Sequence, residues 1–142
     1  TEDSITVSRT QPLHATDIQT LPHPGFPTDL QAQFMLLASF ADGNSVISEN
    51  IFENRFMFAS ELNRMGSRIT VEGHHALVQG VSKLEGAPVS SPDLRGGAAL
   101  VIAGLAAEGE TVVHDIRHID RGYEDYVGKL RAIGANVERV TL

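Results

Sequence analysis

The chain has no cysteine among its 142 residues, so disulfides, thiolate metal sites and a cysteine nucleophile are excluded, as fits an intracellular protein. Positive charge is scarce: 11 Lys and Arg stand against 18 Asp and Glu, a formal net charge of −7. That balance excludes binding nucleic acid through a general basic surface. It leaves open small anions, which two or three placed arginines can hold. No apolar run approaches the roughly 20 residues that cross a bilayer, and Thr1-Glu2-Asp3-Ser4 has neither the basic flank nor the apolar core of a signal peptide. A glycine-rich phosphate loop, a serine nucleophile elbow and a dinucleotide fingerprint are missing too. His14, His23, His114 and His118 fall at no ligand spacing. His74 and His75 are neighbours in an expected hairpin turn and make a poor metal chelate, because adjacent strand residues point to opposite faces. The initiator methionine is also missing, from which we expect the chain to be part of something longer.

What is present amounts to about one domain, with 42% apolar residues and room for a real core. Its most informative property is a repeat. From Asp29 the order is Asp-Leu, an apolar helix, Asp42-Gly43 and a strand at 45–48. Arg55 follows in a loop, then a helix ending at Met65-Gly66 and a strand at 68–71. From Asp93 the same order returns: Asp-Leu, an apolar helix, Glu108-Gly109, a strand at 111–114, Arg121 in a loop, a helix ending at Ile133-Gly134, and a strand at 136–140. The spacing predicts an α/β fold of two copies of one unit, residues 1–80 and 81–142. Gly66 and Gly134 read as left-handed residues that end helices.

The first copy closes with a hairpin of strands at 68–72 and 76–79, whereas the second lacks that last strand. Its first helix, Ala98 to Ala107, is apolar all round and predicts burial on every side, with sheets outside and helices within. The corresponding helix of the first copy reads as amphipathic, with Leu30, Phe34, Leu37 and Ala41 inward and Gln31 and Gln33 outward. Met57 and Met65 read as core.

Asp29 has two readings. Behind Pro24 and Pro27 it fits a helix N-cap, whose carboxylate accepts a backbone N–H left unpaired by the first turn; a chemical role is compatible with that position. Arg55 and Arg121, in matching loops, suit either a fork for carboxylate or phosphate or a solvated charge. Arg95 lies in the first turn of an apolar helix, where a cation opposes the helix dipole. A residue placed against local preference is a candidate for function.

The strings PGFPTDLQAQF, ENIFENRFM, MGSRITVEG, DLRGGAALVIAGLAAEG, HIDRGYE and KLRAIGANVERV closely resemble the UDP-N-acetylglucosamine 1-carboxyvinyltransferase family, from about Leu21 to Val140. The resemblance implies an inside-out α/β barrel of repeated βαβαββ units with helices buried between sheets. It places this chain in the last third of a two-domain cytoplasmic enzyme, in a domain completed by the extreme N-terminus of the whole protein. The implied reaction moves the enolpyruvyl group of phosphoenolpyruvate to the 3′-hydroxyl of UDP-N-acetylglucosamine and releases phosphate, the step that opens bacterial peptidoglycan synthesis. No metal or redox cofactor is implied, and neither a membrane nor nucleic acid as partner.

Residue by residue, the resemblance implies that Asp29 binds the sugar nucleotide and acts as general base. Ile51 contacts the same ligand, and Arg95 and Arg121 hold phosphoenolpyruvate. Asp93 and Arg55 support the cleft or handle protons. His23 and Phe58 stand where the family commonly has tyrosine and histidine, positions that bear on packing. The cleft lies between two domains, so this chain is expected to be inactive alone. The alternatives are the sibling 5-enolpyruvylshikimate-3-phosphate synthase and a non-catalytic binding module with the same fold.

Overall fold

Strand β1 (Ile18–Gln19) runs parallel to β2 (Asn44–Ser48), with helix α1 (Gln31–Ala38) between them in sequence. The structure, a computed structural model, describes residues 3–141. After β2 come α2 (Ala59–Arg64) and the hairpin β3 (Arg68–Glu72) and β4 (His75–Gln79), and the four strands form one sheet in the order β1-β2-β4-β3. The same opening step then recurs. Strand β5 (Pro88–Ser90) lies parallel to β6 (Val112–His114), with α3 (Leu94–Ala106) connecting them, followed by α4 (Arg117–Asp120) and α5 (Tyr126–Ala132).

The helix ends repeat at atomic level. Gly66 has φ +93° and Gly134 φ +95°. After α2 the Gly66 amide donates to Asn63 O and Ser67 to Leu62 O; after α5 Gly134 donates to Arg131 O and Ala135 to Leu130 O. These paired bonds absorb the last carbonyls of a helix and require a left-handed residue, which glycine supplies without a Cβ clash.

Strand alternation sets the core face of the first sheet. Ser45 and Ile47 of β2, Ile69 of β3, and Ala76 and Val78 of β4 are buried, while their sequence neighbours face outward. Helices α1, α2 and α3 pack together behind that face around Met35, Phe58, Leu62, Met65 and Leu100. Met65 is core as expected, but Met57 is exposed.

Three other expectations are corrected. Residues 136–140 form no strand. A strand is defined by its ladder, and β3 has β4 beside it, whereas no described segment pairs with 136–140. Helix α1 presents the other side to the core: Ala32, Met35, Leu36, Ala38 and Gln31 are buried, while Leu30, Phe34 and Leu37 are largely exposed. With apolar side chains on both faces, its pattern cannot specify which one turns inward. Finally, α3 is not enclosed on every side, since Ile102 and Leu105 remain about 40% exposed. Among the described residues no helix is long and apolar enough to cross a membrane.

Candidate functional site

The N-terminus of α3 organises the first cluster. Asp93, in extended conformation, accepts the amides of Arg95 (2.7 Å) and Gly96 (2.8 Å) on Oδ1. This is an aspartate cap, which fixes the first turn from which the Arg95 side chain leaves. Arg95 Nε then forms an ion pair with Oδ1 of Asp29 at 2.6 Å. Two carboxylates, one through its cap bonds and one by direct pairing, offset the penalty of a cation at a helix N-terminus.

Asp29 does not cap its own helix. It sits inside a 3₁₀ turn, Thr28–Leu30, that precedes α1, and makes no cap hydrogen bond. The equivalence of Asp29 and Asp93 therefore holds for their order along the chain and fails for their bonding. The extra turn carries the Asp29 carboxylate away from the amides of α1 and across to the first turn of α3. Phe26, just ahead of that turn, packs edge-on against Phe34 of α1 with ring centroids 4.8 Å apart, which anchors the entry.

Arg121 follows α4 directly and is exposed, with no ion-pair partner among the described residues. Its neighbour Asp120 pairs with Arg139. Ile51 and Arg55 stand in a separate place. Both line an open cavity of about 1050 Å³ formed by the 49–57 loop, α2, β3 and the β3–β4 turn. The Arg55 guanidinium lies 4.5 Å from the centroid of the Phe52 ring, which fixes its stem by a cation–π contact. Asp29, Asp93, Arg95 and Arg121 do not line this cavity. The expected site residues thus fall into an Asp29–Arg95–Asp93 cluster, an Ile51–Arg55 loop, and Arg121 by itself.

Glu49 joins the first two and was not singled out in the sequence. It is 3% exposed. Its Oε1 accepts from the Thr20 hydroxyl (2.9 Å) and the amides of Ile51 (2.9 Å) and Phe52 (3.1 Å), and Oε2 accepts from the Thr28 hydroxyl (2.7 Å). A readable signal existed: Ser45 and Ile47 face the core, and alternation carried one step past β2 puts Glu49 on the same face. Burial pushes the Glu49 carboxyl up, but hydrogen bonds from Thr28, Ile51, Phe52 and Thr20 outweigh it, and the pKa falls below its ordinary value of 4.5.

A carboxyl with a depressed folded pKa stabilises fully above the unfolded value and loses that contribution as pH falls through the folded one. We therefore expect the urea midpoint of the chain to drop as pH is lowered below about 4.5. The Glu49→Gln variant should lack that part of the drop, and parallel curves for the two proteins would contradict it.

Comparison with known proteins places this geometry in context. The family described as EPSP synthase (3-phosphoshikimate 1-carboxyvinyltransferase) matches residues 1–130. The UDP-N-acetylglucosamine 1-carboxyvinyltransferase of Granulibacter bethesdensis is 56% identical over 140 residues, 99% of this chain and 33% of that protein. The Synechocystis protein of the same name is 60% identical over 128 residues, covering 90% of this chain and 29% of its own length. The chain thus spans about a third of the curated relatives it matches. Among solved structures, the enolpyruvyl transferase NikO of Streptomyces tendae superposes with a TM-score of 0.82 at 34% identity, covering 90% of this chain and 30% of its own. EPSP synthase of Acinetobacter baumannii, at 21% identity and a TM-score of 0.64, shares the fold over 92% of this chain and 29% of its own. The expected α/β enolpyruvyl-transferase fold is the one observed.

Proposed function

Because this chain belongs to the EPSP synthase family, we propose that it forms one wall of the active site of a longer cytoplasmic enzyme. That enzyme transfers enolpyruvyl from phosphoenolpyruvate to the 3′-hydroxyl of UDP-N-acetylglucosamine. The observation that carries the reading is the Asp29–Arg95 contact, which brings a carboxylate of one copy against a cation of the other. We read residues 1–80 and 81–142 as the two copies, and the uncovered apolar side of α1 and α3 as facing the rest of the protein.

The chemistry divides among these residues. A neutral hydroxyl attacks once a base within hydrogen-bond reach takes its proton, the role of Asp29. The hydroxyl oxygen bonds to the central carbon of phosphoenolpyruvate while the double bond of that substrate takes up a proton at its methylene carbon, giving a tetrahedral intermediate. Departure of phosphate with loss of a proton from the new methyl group restores the carbon–carbon double bond. Arg95 and Arg121 hold the carboxylate and phosphate and stabilise the charge that develops. Arg95 meets Asp29 through Nε, so the N–H groups at its tip stay available to an anion. Asp93 holds Arg95 in register through its cap bonds. Ile51 and Arg55 take the sugar nucleotide at the 49–57 loop; the Ile51 amide is already bonded to Glu49, which leaves its carbonyl and side chain for the ligand.

The full-length protein should release inorganic phosphate when given both substrates, and the 142 residues alone should release none, since a cleft closed by two domains is incomplete in one. Turnover by the isolated chain would refute the second statement. The family description also names 3-phosphoshikimate, so shikimate 3-phosphate is the control acceptor. Phosphate release with it, and none with UDP-N-acetylglucosamine, would move the protein to the sibling reaction.

A further inference from the structure

We infer that Glu49 is a positioning residue: one buried carboxylate sets the Asp29 turn and the Ile51–Arg55 loop in register, so that base and acceptor-binding loop meet the same sugar. The inference rests on the roles given above to Asp29 and Ile51.

Its geometry has two arms. Oε2 accepts from Thr28 Oγ1, the residue that opens the turn carrying Asp29. Oε1 accepts from the amides of Ile51 and Phe52, which fixes the start of the loop that leads to Arg55. Thr20, whose hydroxyl donates to Oε1 and accepts the Asn50 amide, closes the network from β1's side. The Glu49 amide donates to His74 O at 2.8 Å, so the backbone that carries this carboxylate is held at the end of the sheet. Among the described residues no other side-chain hydrogen bond joins the turn to the loop, and the loop belongs to no helix or strand. Without a common acceptor, each is free to settle independently.

A carboxylate suits the position because it offers two oxygens with about four acceptor sites and no donor. Four donors converge on it, and two of them are backbone amides that cannot rotate away. A glutamine would keep the shape and present an NH₂ to Thr28 in place of an acceptor. An aspartate is one methylene short and cannot reach both arms from the same backbone.

The test uses steady-state kinetics of the full-length enzyme with UDP-N-acetylglucosamine and phosphoenolpyruvate varied separately. Glu49→Gln should lower kcat about tenfold and raise KM for the sugar nucleotide about as much, while KM for phosphoenolpyruvate stays within about twofold. Thr28→Val cuts the Asp29 arm alone, at a half-buried site. It should lower kcat with little change in either KM. A purely structural Glu49 predicts instead a lower Tm with the kinetic constants of the folded fraction unchanged; that result for Glu49→Gln overturns the inference. Wild-type kcat in Thr28→Val overturns it too, whether or not Glu49→Gln folds. Failure of the wild-type enzyme to turn over either acceptor would reject the proposed function instead, a result separable from both.

Discussion

Replacing Asp29 by asparagine in the full-length enzyme is expected to lower kcat by about 10²–10⁴-fold, the usual contribution of a general base, and to leave the fold intact. The structural half of this expectation follows from its surroundings. The Asp29 side chain is 60% exposed and makes no cap bond. Its partner in the ion pair is itself partly exposed, so the pair contributes at most about 1 kcal/mol. Asparagine retains the shape and gives up only this ion pair, which limits the expected fall in Tm to about 4 °C. The catalytic half follows from proton chemistry: an amide accepts hydrogen bonds but does not take a proton near neutral pH. Thermal unfolding and phosphate release on the same preparation check both halves. Gross unfolding would return Asp29 to a structural role, and activity within about tenfold of wild type would place the base elsewhere.

Phe58→Ala should produce the largest loss of stability, about 3–5 kcal/mol, with the chemistry untouched in principle. Phe58 is 1% exposed and belongs to the central cluster with Leu62, Met65 and Leu100. It also supports the site mechanically. A Cβ built on Gly96 would stand 2.8 Å from Phe58 Cβ and 3.2 Å from its Cγ, so the backbone of α3 packs against this side chain one residue beyond Arg95. Truncation leaves a void that close-packed neighbours fill only in part. Domains hold about 5–15 kcal/mol in total, so the variant should stand near its unfolding threshold. Phe58→Leu, which keeps most of the volume, should cost less than half as much; urea unfolding of the two variants reads the difference. A loss below about 1 kcal/mol for the alanine would mean the site collapses freely around the gap.

How far the sequence carried these conclusions depends on the range of the interaction involved. Gly66 and Gly134 were legible because a left-handed helix end is a local event decided by one residue's missing Cβ. The Asp93 cap is local in the same sense, its acceptor and donors lying within three residues. The alternation of buried and exposed residues along β2, carried one residue further, could have given Glu49. The inward face of α1 was misjudged because both faces are apolar, and only the neighbours that arrive from elsewhere choose between them. The strand expected at 136–140 failed for a related reason: propensity proposes a strand, but a ladder partner makes one.

The sequence by itself determined the α/β character and the helix ends. Those are set by short-range sterics and by periodicity, both of which are written in consecutive residues. Tertiary structure alone decided that Asp29 turns from its own helix to Arg95, 66 positions along the chain, and that Thr20, Thr28, Ile51 and Phe52 converge on one buried glutamate. Such partners are chosen by burial. Once a carboxylate leaves water it must find every donor it needs from whatever segments the fold brings within about 3 Å, and sequence distance has no bearing on that choice.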